Sequence, residues 1–449
     1  MGENITATYL EQFRSAVADH PGVLPVTGAQ RRFLTIRRLA RDVPPLLVPL
    51  YFRFPRGAVD PDLLRAAAAR LAARHPVLRT RFDTAADLPV QRLTEPRGAV
   101  HRVTAGPGET TDGALRRALR SWSPDGPPLR LFLAAAEAEP ELETLAVVVD
   151  HAACDEQSLG LITEGLGRAY RERTDPREVL AATGASDAEA YRDAVERQLA
   201  VERAASGPGS LAHWAGRLAE LVPTGVAARR AAADPGRADA VAGLLRYRRP
   251  APAEEAGIAL FPAVLGATAA AVTAVTGVAG AAGAPGGATP SVGYPWGGRP
   301  PGAAPVLGCF LNTVLCVAPC GADPDDLTDR WWDDLDHADT PLDEVLRLAR
   351  LRGPARHALF DALVAQEDAT RRPPLELGGV EGLETHREAL ALQTPLAVAV
   401  TRGATDLLVR LGWQPGLVDR AAAHSGFDAL RSTLAAHLDR SPDPCAPAP

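Results

Sequence analysis

Lysine is missing from this chain altogether, so all 48 basic side chains are arginine, and 55 acidic residues leave a net charge of −7. A protein that grips a nucleic-acid backbone needs a basic face, and this balance argues against one, so nucleic acid is not an expected partner. The arginine bias, with 40 glycines, 40 prolines and much alanine, fits GC-rich coding better than any function. Cysteine is scarce: Cys154, Cys309, Cys316, Cys320 and Cys445 are odd in number and contain no C-x-x-C pair. That argues against a disulfide framework or a structural zinc site. Long hydrophobic runs are few. Ile258 to Gly287 carries no charge, but it is built from Ala, Gly and Thr, holds Pro262 and Pro285, and lacks aromatic belts. A buried helix over Ala259–Thr276 followed by a Gly/Ala loop is the better reading, and no membrane partner is expected. The N-terminus has no basic region leading into an apolar core, so no signal peptide is read and a cytoplasmic location is expected. Gly2 and Thr6 meet a loose myristoylation pattern without a second anchor.

At 449 residues, 46% apolar and 23% charged, the chain reads as a globular protein of two or three domains. Val48–Phe54, Leu129–Ala135, Leu145–Val149, Leu244–Arg248, Ser291–Tyr294, Phe310–Val317, Leu396–Thr401 and Asp406–Trp413 read as strands. Helices are expected within Leu24–Leu39, from Asp60 to His75 with Asp60 as cap and Pro61 first, and over Asp187–Val222 with a break near Gly207–Gly209. Further helices are expected at Pro341–Leu363 and Val418–Leu438. Ala204–Gly209 is a candidate domain joint. The tail SPDPCAPAP lacks the apolar content to order itself.

The most informative stretch is LAVVVDHAACDEQSLGLITEGLGRAY, Leu145 to Tyr170. A buried strand gives way to an amphipathic helix, with Leu159, Ile162, Leu166 and Ala169/Tyr170 at three- and four-residue spacing. Asp150, His151, Asp155 and Glu156 fall between, where helix-start amides are unpaired and chemistry often sits. The pattern also has a bland reading: Asp155 as an N-cap, Glu156 favouring the positive helix end, and His151 as a buried, hydrogen-bonded histidine. A metal reading of Asp150, His151 and Asp155 lacks a further convergent ligand, and none is expected. Cys154 and Cys309 read as small packing residues, since no basic group is placed to make a thiolate.

Taken in order, several blocks carry a resemblance that spans nearly the whole chain. They are GAQRRFL (Gly28–Leu34), HPVLRTRF (His75–Phe82), DHAACDE (Asp150–Glu156), HWAGRL (His213–Leu218), GYPWGGRP (Gly293–Pro300) and LGCFLNTVL (Leu307–Leu315). Together they resemble the condensation domains of nonribosomal peptide synthetases, in the chloramphenicol-acetyltransferase-like superfamily. The family's central motif is His-His-x-x-x-Asp-Gly, and here Asp150 replaces its first His and Glu156 its Gly.

The resemblance implies an α/β fold: a pseudo-dimer of two acetyltransferase-like lobes in a V with a tunnel between them. The lobes are expected at residues 1–180 and 181–440, followed by a disordered tail at 441–449. It implies a free-standing condensation enzyme of antibiotic or related biosynthesis. Such an enzyme joins a thioester on the phosphopantetheine arm of an acyl or peptidyl carrier protein to an amine or alcohol, with no bound cofactor. His151 takes the catalytic place, where an imidazole of ordinary pKa near 6.5 suits acyl transfer. Asp155 takes the structural place, with Arg299 as expected partner and Arg79 or Arg81 as alternatives. On extended chain Asp150 and His151 would face opposite sides, making Asp150 a loop-packing change. Glu156 stands where glycine leaves room near the family's donor channel. Ser158, Asn312 and Thr313 are candidates to line the substrate channel, with a place in the strand ladder as the alternative for Asn312 and Thr313. Against the enzyme reading stands a scaffold of the same fold that docks carrier proteins or tailoring enzymes. An epimerase-like relative would want an intact His-His pair and a second acid–base group.

Overall fold

The computed structural model describes residues 4–17, 22–39, 46–83, 88–135, 139–222, 224, 242–250, 260–277, 289–319, 322–351, 359–388, 390 and 392–438. The chain forms two compact units. One comprises Met1–Ala204, Gly297–Leu311 and Arg371–Leu390, and the other comprises the rest. The first crossing between them falls at Ala204/Ala205, and two later segments return to the first unit. The long helix Pro176–Ala205 is continuous with the first unit because Tyr191, Ala194, Val195 and Leu199 are buried in its core.

In the first unit the central sheet runs Leu383–Thr385, Leu47–Pro55, Leu142–Asp150, Leu129–Ala135, Val100–Thr104. Only the last pair is parallel. The unbroken apolar run in Leu142–Asp150 follows from burial on both faces, since successive side chains point to opposite sides of a strand. Leu145, Val147 and Val149 join the core that contains Leu64 and Leu71 of the Pro61–Arg74 helix and Ile162 and Leu166 of Glu156–Arg171. Ala146 and Val148 turn the other way, toward Leu115, Leu119 and Trp122. A small sheet, Val23–Pro25, Val90–Leu93, Thr80–Asp83, and the strand pair Glu376–Leu377 and Val380–Glu381 also belong to the unit.

The second unit holds a six-stranded sheet in the order Leu311–Val317, Ser291–Gly297, Ala362–Asp368, Leu396–Arg402, Asp406–Trp413, Gly243–Pro250. Its core is dominated by two helices, Leu260–Thr276 and Arg420–Leu438. They approach closely at Gly426, where a Cβ would sit 2.7 Å from Val275 Cγ2. The uncharged helix Leu260–Thr276 is thus explained by packing: Val264, Leu265, Ala271 and Val272 are all at most 1% exposed, while the Gly/Ala loop expected after it lies outside the described residues. Among the described residues no helix is long and apolar enough to cross a membrane.

Pro341–Leu363 is not one helix. The helix spans Leu342–Leu351, and Ala362 and Leu363 open the strand Ala362–Asp368. The part of that expected helix at 352–358 lies outside the described residues. The 441–449 tail lies outside the described residues.

Candidate functional site

The strand Leu142–Asp150 ends in a single tight turn, His151–Ala153, before the helix Glu156–Arg171. His151 therefore lies in a 3-10 turn and not on extended chain. Asp150 is the cap of that turn, its Oδ1 accepting from Ala152 N at 3.0 Å. Its other oxygen accepts from Arg37 Nη2 at 2.5 Å, and the carboxylate side chain is only 5% exposed. Asp150 is a committed structural group.

One face of the helix Gly28–Leu39 holds this turn. Gln30, Phe33 and Arg37 recur at three and four residues, the spacing that lines a single helical face. Gln30 Nε2 donates to Ala152 O at 3.0 Å, Phe33 stacks on the His151 ring at 4.4 Å between centroids, and Arg37 pairs with Asp150. Gln30 is fixed in turn: its Oε1 accepts from Thr27 N, and it sits beside the bonded pair Tyr191 Oη–Gln91 Oε1. The helix start is secured by Glu202, whose carboxylate accepts from Gly28 N at 3.0 and 3.1 Å, as the positive end of a helix favours. The sequence contained these residues inside GAQRRFL and just beyond it. Nothing in the one-dimensional pattern showed that their target was the loop at residue 150.

His151 donates its backbone N–H to Leu46 O, and its ring Nδ1 is buried with no side-chain hydrogen-bond partner among the described residues. Burial holds the imidazole below its ordinary pKa; the Arg32 charge adds to this, while backbone groups of His151 and Cys154 and the Asp150 carboxylate oppose it. Burial thus favours the uncharged ring.

Asp155 is the opposite case. It caps the helix Glu156–Arg171 by accepting from Ser158 N at 3.0 Å, and its Oδ2 takes Arg299 Nη1 at 2.6 Å and Phe310 N at 3.0 Å. Arg299 also donates Nε to Val306 O at 2.7 Å and Nη2 to Ser158 Oγ at 2.9 Å. Ser158 Oγ accepts from Gly308 N, and its single proton faces Asp155 Oδ1 and Gly308 O, each at 2.8 Å. Gly308 is required because a Cβ there would run into the Phe310 ring, which lies under the Arg299 guanidinium. Arg79 and Arg81 do not reach Asp155: Arg79 donates to Thr94 O, and Arg81 lies 3.8 Å from Asp125.

Ser158 and Asn312, read as channel candidates, are tied up by structural bonds. Ser158 is 0% exposed within the knot just described. Asn312 donates to Ala338 O and Thr340 O and accepts from Leu342 N, pinning the turn ahead of the helix Leu342–Leu351 in the second unit. Thr313 is buried in the strand Leu311–Val317. Glu156 is exposed at the first position of its helix. Cys154 and Cys309 are buried with their thiols pushed up by burial, so neither is a ready nucleophile. No group of His, Cys, Asp and Glu that could hold a metal occurs among the described residues.

A family model for the condensation domain matches residues 21–372. The chain belongs to the condensation-domain family. Condensation domains as a class are acyltransferases that act on carrier-bound, phosphopantetheine-linked substrates and need no cofactor of their own. The AMB antimetabolite synthetase AmbE of Pseudomonas aeruginosa is 29% identical over 94% of this chain and 20% of its own length. An isonitrile lipopeptide synthase of Mycobacterium tuberculosis is 31% identical over 36% of this chain and 7% of its own. This chain thus spans a small fraction of the curated relatives it matches. Among solved structures, the first condensation domain of the calcium-dependent antibiotic synthetase aligns with a TM-score of 0.64 at 18% identity, covering 95% of this chain and 98% of that one. The X-domain from teicoplanin biosynthesis aligns at 0.62 and 19% identity, covering 94% and 96%. At such identities these likenesses establish the fold.

Proposed function

We propose that this condensation domain transfers an acyl or aminoacyl group from the phosphopantetheine thioester of a carrier protein to an amine or alcohol, with His151 as the reacting base. The observation that carries this reading is the setting of His151: an imidazole stacked on Phe33 and held below its ordinary pKa by burial, on a loop whose two carboxylates at 150 and 155 are already committed. With Nδ1 buried, Nε2 is the nitrogen assigned to the reaction. The acceptor N–H or O–H gives its proton to Nε2 as the acceptor lone pair bonds to the thioester carbonyl carbon. The tetrahedral oxyanion collapses, the C–S bond breaks, and the leaving thiolate recovers the proton from the imidazolium. An amide or ester and a free pantetheine thiol result, with His151 neutral again. A positioned base of this kind contributes about 10²- to 10⁴-fold.

A second reading, a docking scaffold, draws support from the fold shared with the X-domain, which has been solved in complex with OxyB. Asp150 and Glu156 at the two altered motif positions point the same way. The deciding experiment incubates the purified chain with acyl-loaded carrier proteins and a panel of amines and alcohols, read by mass spectrometry of carrier and product. Steady turnover removes the scaffold reading. No turnover with any carrier, together with tight binding of a tailoring enzyme, removes the acyltransferase reading.

A further inference from the structure

We propose that Arg37 is a positioning residue for His151, acting through its ion pair with Asp150 as part of a three-point clamp on one face of the Gly28–Leu39 helix. The inference rests on the acyltransferase reading for its effect on turnover, but its geometry stands alone. Three contacts from positions 30, 33 and 37 of one helix meet three consecutive residues of the loop: Gln30 the Ala152 carbonyl, Phe33 the His151 ring, Arg37 the Asp150 carboxylate. Nδ1 has no side-chain partner among the described residues, and the polar groups that act on the ring are the backbone of His151 and Cys154. Its orientation is therefore set by the stacked ring and by the backbone on either side, and that backbone is held by Arg37 and Gln30. Asp150 transmits the constraint directly, because the oxygen opposite the Arg37 contact caps Ala152 N one residue beyond the histidine.

The charges around the ring sharpen the point. Asp150 favours the imidazolium and Arg32 disfavours it, while Arg37 neutralises the Asp150 carboxylate. Removing Arg37 takes the ion-pair partner from a buried carboxylate beside the ring, leaving the Arg130 charge acting on it, and the ring should then take up a proton more readily. Arg37 thus has two separable consequences, geometry and protonation, which a purely structural surface ion pair would not have.

The test uses the whole chain labelled for histidine NMR. Arg37→Gln is expected to move the His151 ring resonances and to raise its titration midpoint. In turnover it should lower kcat by about 10- to 100-fold, as misplacement of a reacting group does, while KM stays within about twofold. The acid limb of the kcat/KM profile should move up with the midpoint. The double variant Arg37→Gln/Asp150→Asn keeps a capping oxygen and removes the buried charge. It should return the midpoint toward wild type without restoring the ring position, and it supplies the measurement if the single variant fails to fold. Wild-type-like ring resonances and midpoint in the folded single variant, or a double variant with wild-type ring signals, overturn the proposal. Should the wild-type chain transfer no acyl group, the acyltransferase reading fails, and the ring resonances still decide whether Arg37 positions His151.

Discussion

His151 and Asp155 stand four positions apart on one loop, and the structure treats them in opposite ways. Asp155 accepts from Ser158, Arg299 and Phe310, so its carboxylate knits a distant segment, Gly297–Leu311, to the helix start. His151 has a buried ring nitrogen with no side-chain partner among the described residues and is braced by an aromatic face. Buried polar groups are nearly always satisfied, and the exceptions are candidates for function. The contrast divides one motif into an anchor whose bonding is complete and a group held without being consumed. His213 in the second unit provides a second control: its Nε2 lies 2.9 Å from Asp334, to which Arg217 also donates at 2.7 Å. That histidine is engaged as Asp155 is, and its place is structural.

The largest expected effect falls on the anchor. Asp155→Ala strands the Arg299 guanidinium, whose side chain is 9% exposed, and removes the helix cap in the same step. Breaking one partner of a buried pair costs roughly 3–5 kcal/mol. Chemical denaturation should show that loss, with activity falling in proportion to the folded fraction. A fully stable but inactive Asp155→Ala protein would erase the division and place Asp155 in the chemistry.

Acid should weaken the fold through histidines held neutral, with His75 the clearest. Burial lowers its pKa to about 4, and Arg74 and Arg168 oppose the effect of Asp187. An unfolded histidine takes up its proton near pH 6.5, so below that value the unfolded state binds protons that the folded state refuses. The His75 contribution is full above about pH 6.5 and is lost progressively as pH falls toward 4. The loss amounts to about 3 kcal/mol at most, from 1.36 kcal/mol per pKa unit. His151 acts with the same sign. His75→Gln should flatten the stability profile between those values; an unchanged slope would show that His75 is solvated in the folded state.

On the reacting side, His151→Ala should cut turnover by about 10²-fold or more, the usual loss for a general base, while the melting temperature holds within a few degrees. A folded variant with near-wild-type turnover would make His151 no more than a packing residue. The pair of variants is sharper than either alone: one should fail in stability and the other in rate.

Much of the fold was legible because burial leaves a periodic trace. Val147 and Val148 point to opposite cores and still read as strand, and Asp60-Pro61 marks a helix start that the structure caps through Asp62 N and Leu63 N. Other elements left weak traces. Pro324–Leu335 carries five aspartates and two tryptophans, a composition that speaks of surface before helix. The three-way meeting of Gln30, Phe33 and Arg37 with residues 150–152 spans more than 110 positions, and no local spacing encodes it. The same holds for the return of Gly297–Leu311 to the first unit, which depends on which carboxylate Arg299 finds. Motif resemblance supplied that partner where periodicity had nothing to say.

The smallest expected effect concerns Glu156, the residue that departs most from the family pattern. Its side chain is exposed at the first position of the Glu156–Arg171 helix, where a negative charge favours the unpaired amides. Glu156→Gln removes that charge and keeps the size, so stability should fall by about 0.3–1 kcal/mol, the usual worth of a charge at a helix end. If the carboxylate serves only the helix, turnover and acceptor preference should stay within about threefold of wild type, because none of the groups bonded to Asp155 depends on it. Glu156→Gly opens the space that the family motif leaves at this position. A gain in turnover, or a change in the acyl chain accepted, would show that the carboxylate borders the donor path, and the loop would then have a third functional position beside its anchor and its base. Unchanged kinetics in both variants would leave Glu156 on the structural side of the comparison, with Asp155.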